Sequence, residues 1–359
     1  MAPIELGIFD HVTRPPGVAL GDLYEQRIAL LRKAEAAGFR GYHLAEHHGH
    51  ALSATPSQIP FLAAVARETE RLRLGLLVAC LPLHHPIRLV EEVCMLDQLS
   101  GGRVDLGVGR GISPFEHALF GHDPDDARDR FAELLPMIVR GLETGRMDSA
   151  GCTAYDFPEI ELPVEPVQRP YPPLWAAGNV ELAARNGMNV VSGAPVTAEL
   201  RARYDELWAE GRQAPDRLNP HVTEPLVGSS QYVCIADTDE EARRIGERAL
   251  RVLGRFLGRS VGREPPHLQD PSRPAPPTPL VKAIQAGGAG GALVCGTAET
   301  VRDHYVRHAA EGNANYIVIN LPFGDMTFAE AERTLDAFVA EVVPAIRALD
   351  DRVSSSGRG

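Results

Sequence analysis

The densest group of side chains able to do chemistry is the run Glu46-His47-His48-Gly49-His50. Histidine has an ordinary pKa of ~6.5, so it can accept and return protons at neutral pH. His48 and His50 also form an H-x-H pair, which is typical of metal sites, but no Asp ends the last predicted strand to complete one. The run could equally be a polar loop that closes a strand. We favour acid–base chemistry and predict no metal.

A second candidate is the turn Gly109-Arg110-Gly111, which follows a β-rich run. Glycine lets the backbone approach a ligand closely, and arginine binds phosphate through two hydrogen bonds. The junction Gly178-Asn179 could add the free N–H groups of a helix start. Together they predict a phosphate site, although such a turn can also be structural, with the arginine paired to an acid.

The run His84-His85-Pro86 precedes a predicted helix. Proline is well tolerated at the first position of a helix, where its missing N–H is harmless. We therefore interpret this run as a helix boundary with one exposed histidine.

Short β-rich runs alternate with amphipathic helical segments along the chain. The predicted strands are Ile4–Phe9, Gly41–Ala45, Leu72–Leu81, Val104–Val108, Pro173–Ala177, Asn189–Ser192, Gln231–Ala236 and Tyr316–Asn320. Strands separated by helices favour parallel pairing, and eight such units predict an α/β fold, a (β/α)8 TIM barrel with insertions. A doubly wound open sheet is the alternative, but no G-x-G-x-x-G follows the first strand.

The 359 residues are enough for two domains, but the strand count favours one domain over residues 1–350. The surplus would lie in a hairpin-like insertion at 146–172 and in a segment at 262–291 that contains seven prolines. Residues 351–359 are predicted to be a disordered tail.

Catalytic groups of such barrels lie at the carboxyl ends of the strands. The predicted strand ends therefore bring the candidate residues to one mouth. They are Asp10-His11, Glu46-His47-His48, Cys80, Gly109-Arg110, Gly178-Asn179, Ser192 and Asn320.

Composition excludes several classes of protein. The net charge of −12, without a basic run, argues against nucleic-acid binding. No stretch is apolar enough to span a membrane, and no secretory signal is recognisable. The five cysteines form no disulfide or C-x-x-C pattern, which favours a reduced cytoplasm.

The chain resembles the bacterial luciferase-like flavin monooxygenases. The matching motifs, which are specific only in combination, are Ala45–His48, Leu81–Arg88, Leu96–Arg103 and Leu106–Gly111, with weaker matches at Cys295–Val301 and Tyr316–Asn320. Family members are (β/α)8 barrels that use reduced FMN or, in one branch, the deazaflavin F420. The Glu-His-His run and the Gly-Arg-Gly turn resemble the FMN branch.

The resemblance implies roles for individual residues. Arg110 would bind the FMN phosphate, with Gly178 and Asn179 completing the pocket, and His47 would be the acid–base group beside the ring. A cis peptide under the ring would fall at Leu77-Val78. Gly109 stands where luciferase carries a reactive cysteine, and the segment after Asn179 lacks the usual Ser/Thr phosphate ligands. Glu46 and the strand-end Ser192 complete the candidate set.

The activity implied is that of a two-component monooxygenase. A separate flavin reductase would supply FMNH2, which reacts with O2 to give a C4a-(hydro)peroxyflavin that oxygenates a small organic substrate. A homodimer is also implied. The alternatives are an F420-dependent oxidoreductase, a non-catalytic flavin-binding protein, and a metal hydrolase that uses His48 and His50.

Overall fold

The structure is a computed structural model, and it describes residues 4–260 and 291–356. The strands β1–β11 are Glu5–Asp10, Gly41–Leu44, Arg73–Cys80, Val104–Gly109, Arg146–Met147, Ile160–Glu161, Leu174–Ala177, Asn189–Ser192, Val227–Ile235, Leu293–Gly296 and Tyr316–Asn320. The helices α1–α11 are Leu20–Ala36, Gln58–Glu68, Pro86–Ser100, Pro114–Leu119, Ala127–Thr144, Val180–Asn186, Ala198–Gly211, Asp239–Ser260, Ala298–Ala310, Phe328–Ala337 and Val343–Ser356. A π-helical segment, Phe338–Val342, joins the last two helices.

Eight parallel strands close into a barrel surrounded by helices, which confirms the predicted (β/α)8 fold. The order around the barrel is β1, β2, β3, β4, β7, β8, β9 and β11, and β11 pairs back to β1. Each predicted strand is within one residue of its observed bounds except that β9 begins four residues early, at Val227 rather than Gln231.

The early start of β9 has a structural cause. Its first residues, Val227–Ser229, pair with β8 and close the barrel, whereas Tyr232–Ile235 pair with β10. Strand β10 was not predicted, because its four residues directly follow a glycine-rich run.

Local signals define many helix ends. Helix α3 begins at Pro86 and ends at Ser100, and the next residue, Gly101, adopts a left-handed φ of 66° that glycine accepts without strain. Helix α10 begins with a capping box, in which Thr327 and Glu330 satisfy each other's backbone N–H groups.

The lumen of the barrel is filled by side chains. Trp175 and Tyr316 are fully buried there, and His43 Nε2 lies 2.7 Å from the Tyr316 hydroxyl. These side chains fit because glycines face them. A Cβ on Gly7 would lie 2.0 Å from the Tyr316 hydroxyl, and a Cβ on Gly75 would lie 2.1 Å from His43 Nδ1. Since the lumen is packed, a ligand has to bind at the mouth.

The predicted insertions have different outcomes. Segment 146–172 contains a two-stranded antiparallel sheet made by β5 and β6. The segment predicted at 262–291 lies outside the described residues except for Gly291. Helix α11 runs to Ser356 and so occupies most of the predicted disordered tail, since no Gly or Pro interrupts the chain between Pro344 and Gly357. Residues 357–359 lie outside the described part.

Among residues 4–260 and 291–356, no helix combines the length and apolar character that crossing a membrane requires.

Candidate active site

One cluster at the barrel mouth is centred on Glu46, directly after β2. Its carboxylate accepts hydrogen bonds from the Cys80 N–H at 2.9 Å, from His48 Nε2 at 2.8 Å and from His84 Nε2 at 2.9 Å. Burial alone would raise the pKa of Glu46, but the charge of His84 and these hydrogen bonds lower it to about 2. Burial lowers the pKa of His84, but the Glu46 carboxylate outweighs this and raises it. Glu46 is therefore an ionised, fully hydrogen-bonded carboxylate.

The cluster corrects our interpretation of the His84-His85 run. His84 is not merely part of a helix boundary, because its ring joins the Glu46 cluster. His85 is exposed, and its ring meets the edge of Tyr155 at 4.8 Å. The sequence carried no signal for the carboxylate that His84 would face.

A second cluster is centred on Glu116. Its Oε1 lies 3.0 Å from His47 Nδ1 and 2.8 Å from His50 Nε2, and it accepts the His48 N–H at 3.2 Å. Burial would raise the pKa of Glu116, but the hydrogen bonds from His47 and His50 lower it to about 2. This cluster joins the loop after β2 to the loop after β4.

Sequence analysis missed Glu116. It lies on the short helix α4, where Ser113 Oγ accepts the Glu116 N–H at 3.2 Å and the Ser113 hydroxyl donates to the Ser260 carbonyl. The signal available was the spacing of Ser113 and Glu116, which is that of a capping box directly after a predicted strand end.

The H-x-H pair is divided between the two carboxylates: His48 binds Glu46, and His50 binds Glu116. In the described part of the chain, His47, His50 and Glu116 are the one group of three side chains whose ligand-type atoms lie within 4.8 Å of one another. In the structure, His47 Nδ1 and His50 Nε2 are each hydrogen-bonded to Glu116 Oε1.

His11 lies beside His47. The two rings stack with centroids 5.6 Å apart and 16° between their planes, and Phe9 meets the edge of His11 at 4.9 Å. Burial, and then the nearby His47 and His50, lower the pKa of His11 to about 3, so it stays neutral. The neighbouring Asp10 faces away from the mouth, where it forms a buried ion pair with Arg27 at 2.8 Å.

The turn after β4 forms the next part of the mouth. Arg110 is exposed, and its guanidinium has no ion-pair partner among the described residues. A Cβ on Gly109 would lie 2.5 Å from Val78 Cγ2. The Leu77-Val78 peptide is cis, as the resemblance implied, and the register between β3 and β4 shifts there. The turn thus places an unpaired cation beside a glycine that packs closely against Val78.

The remaining predicted residues lie at the ends of β7 and β8. Asn179 Oδ1 accepts the Leu182 N–H at 3.1 Å and so caps helix α6. Ser192 Oγ accepts the Ala194 N–H at 3.1 Å, and the Gly178 N–H donates to the Val191 carbonyl at 2.9 Å. These groups lie at the same end of the barrel as Arg110, but the side-chain hydrogen bonds of Asn179 and Ser192 stay within their own loops.

Residues 4–314 match the family model described as luciferase-like monooxygenase. This chain belongs to that family. It is 34% identical over 327 residues to a protein of Sinorhizobium fredii named Uncharacterized protein y4wF, covering 90% of this chain and 92% of that one. It is 27% identical to the oxygenase component of the flavin-dependent trigonelline monooxygenase of Acinetobacter baylyi, covering 90% of each chain.

A solved structure has the same fold. It is the oxygenating constituent of 3,6-diketocamphane monooxygenase from Pseudomonas putida, in complex with FMN, with a TM-score of 0.70, 19% identity, and coverage of 95% of this chain and 98% of that one. This luciferase-like chain is therefore an oxidoreductase of a flavin-dependent monooxygenase family.

Proposed function

We propose that this protein is the oxygenase component of a two-component monooxygenase that uses FMN, reduced by a separate reductase, and O2 to oxygenate a small organic substrate. The observation that carries the proposal is Arg110, which has no ion-pair partner in residues 4–260 and 291–356 and lies at the mouth that also holds the His47–Glu116 pair. The names of the Acinetobacter and Pseudomonas relatives support it. The C4a-(hydro)peroxyflavin stays a prediction.

The residues present fit a flavin nucleotide. An exposed guanidinium without a carboxylate partner is suited to a phosphate, which it can bind through two charge-assisted hydrogen bonds. Gly109 and Val78 would form the wall for the flat ring, and Gly178, Asn179 and Ser192 the opposite side of the pocket. Arg110 is thus the phosphate anchor of the proposal.

Reduced FMN, when bound, supplies the electrons with which O2 is activated. The chain's own contribution is to bind, orient and move a proton. His47 is 8% exposed, so its ring is largely shielded from solvent while its Nε2 has no hydrogen-bond partner in the described part of the chain. His47 Nε2 accepts and returns the proton, whereas Glu46, whose oxygens are all hydrogen-bonded, holds His48 and His84 in place.

Apolar surface next to the polar clusters supports an organic substrate. Ile112, Leu119 and Phe120 are exposed on the segment that carries Glu116. The Phe120 ring meets His48 at 4.8 Å, so this surface continues into the site. We assign the apolar part of the substrate to this side of the mouth.

The cofactor assignment is tested by anaerobic titration of the protein with reduced FMN and reduced F420. We expect tight binding of FMN, and ~10–100-fold weaker binding by Arg110→Ala, since a hydrogen bond to a charged group contributes ~1.5–3 kcal/mol. Arg71→Ala is the matched control, because Arg71 is exposed before β3, at the opposite end of the barrel. An unchanged FMN affinity in Arg110→Ala, or preference for F420, would contradict the assignment.

The reaction is tested by supplying a flavin reductase and measuring O2 uptake, H2O2 release and oxygenated product over a panel of apolar organic compounds. We expect His47→Ala to lose ~10²–10⁴-fold in turnover, the usual contribution of a general acid–base group, while FMN affinity is unchanged. Wild-type turnover in His47→Ala would rule out its role. FMN binding without O2 uptake under any condition would favour a non-catalytic flavin-binding protein.

A further inference from the structure

We propose that Glu116 is the positioning residue of the site, which holds His47 in the tautomer with its hydrogen on Nδ1 and leaves Nε2 free to exchange a proton with the ligand. The proposed function gives that Nε2 its task, and the inference rests on it to that extent. The tautomer itself follows from contacts within the chain.

The first step is the chemistry of the contact. Glu116 is buried, and its hydrogen bonds hold its pKa at about 2, so near neutral pH it is a carboxylate that can only accept. His47 Nδ1 lies 3.0 Å from Oε1 and must therefore donate. A neutral imidazole has one N–H, so Nε2 then carries a lone pair.

His50 gives an independent check on this assignment. Its Nδ1 accepts the Leu52 N–H at 3.3 Å, so in the neutral ring the hydrogen is on Nε2. That Nε2 lies 2.8 Å from Glu116 Oε1 and donates to it. The Glu116 oxygen thus receives two ring N–H groups and the His48 N–H, and all three fix its position against His47.

The anchor of Glu116 is also rigid. Ser113 caps the turn that carries it, and the Ser113 hydroxyl is bonded to the end of helix α8. A carboxylate held on a separate element orients a ring better than one on the same loop, because movement of the loop after β2 does not carry Glu116 with it.

Glu46 is a matched carboxylate that lacks this relation to His47. It also binds two imidazoles, but these belong to His48 and His84, and both contacts are through Nε2. Replacing Glu46 therefore removes a buried negative charge from the same end of the barrel and leaves the hydrogen bond of His47 Nδ1 unchanged.

The groups around His47 leave Glu116 as its one charged acceptor. The titratable groups that face His47 are Glu116, His50 and His11, and His11 is neutral. Glu116 is thus the one fixed negative charge against the ring among the described residues.

The test is a two-dimensional ¹H–¹⁵N spectrum of the flavin-free full chain with labelled histidine, at pH 8 and with EDTA present, in which the His47 signals are assigned by their loss in His47→Gln. We expect the Nδ1–H pattern for wild type. Glu116→Ala should shift His47 towards Nε2–H, whereas Glu116→Gln, which keeps an acceptor oxygen, should retain Nδ1–H. Glu46→Gln is the control and should change the His48 and His84 signals only.

An Nε2–H or averaged pattern for wild-type His47, or His47 signals that differ without EDTA because a metal holds Nδ1, would overturn the proposal. If Glu116→Ala does not fold, Glu116→Gln keeps the test, because its side-chain oxygen still accepts a hydrogen bond and His47 must keep the hydrogen on Nδ1; an Nε2–H pattern for His47 in Glu116→Gln counts against the proposal. In turnover we expect Glu116→Ala to lower kcat by ~10²-fold with little change in KM. If wild-type His47 shows the Nδ1–H pattern but the protein has no flavin-dependent turnover, the proposed function is contradicted and this inference on the tautomer still holds.

Discussion

The two halves of the barrel mouth are built differently. In the half formed by the loops after β1 to β4, polar side chains from separate loops bond to one another: Glu46 reaches His84, and Glu116 reaches His47 and His50. In the half formed after β7 and β8, the polar side chains bond within their own loops, as Asn179 and Ser192 do.

This difference separates two tasks. Bonds between loops fix the relative position of elements that are distant in sequence, which is what a catalytic group requires. Bonds within a loop stabilise that loop and leave its outer surface free to change. Accordingly, we assign proton chemistry to the first half, formed by the loops after β1 to β4. We expect the second half, formed after β7 and β8, to accommodate variation in the ligand.

The largest expected effect comes from breaking the first half at Glu46. Glu46→Ala leaves the Cys80 N–H and the His84 ring without their buried acceptor, and loss of one partner of a buried pair costs ~3–5 kcal/mol. Urea unfolding at pH 7 measures the change. A loss below about 1 kcal/mol would mean that the Glu46 cluster is no more structural than a surface contact.

Gly109 and Gly193 offer a smaller test, one glycine from each half. A methyl group on Gly109 would lie 2.5 Å from Val78 Cγ2, and such overpacking costs ~1–3 kcal/mol. Gly193 is exposed with no atom within 4 Å of its added Cβ, so Gly193→Ala should stay within ~0.5 kcal/mol. The free energy of unfolding in urea and the FMN affinity are measured for both variants. Equal losses in the two variants would contradict the proposed difference between the halves.

Acid should weaken the first half through its carboxylates. The folded state lowers the pKa of Glu46 from 4.5 to about 2, so its stabilisation is present above pH 4.5 and is lost as pH falls towards 2. Between pH 5.5 and pH 4, where His84 is protonated whether folded or not, this amounts to about 1 kcal/mol. Unfolding free energies of wild type and Glu46→Gln should converge by that amount, and a constant difference would contradict the assignment.

The sequence was sufficient where the signal is local. The barrel followed from alternating strands and helices, and His47 with Glu46 stood out as one polar run at a strand end. Glu116 and His84 could not be placed, because their importance depends on which side chains the closed barrel brings opposite them. Asp10 shows the same limit: at the end of β1 it faces α1 and Arg27, not the mouth.

The smallest expected effect, at Asn179, tests the second half. Asn179 Oδ1 caps helix α6, and loss of a cap costs ~0.5–2 kcal/mol, with the low end expected for a short exposed helix. Asn179→Ala should therefore lower the free energy of unfolding slightly, and Asn179→Ser should restore it. Because the side-chain oxygen is already bonded to the Leu182 N–H, we expect FMN affinity in both variants to stay within about 3-fold of wild type, below ~1 kcal/mol. A 10-fold loss in both would mean that the asparagine side chain itself binds the phosphate, and that the second half shares the cofactor with Arg110.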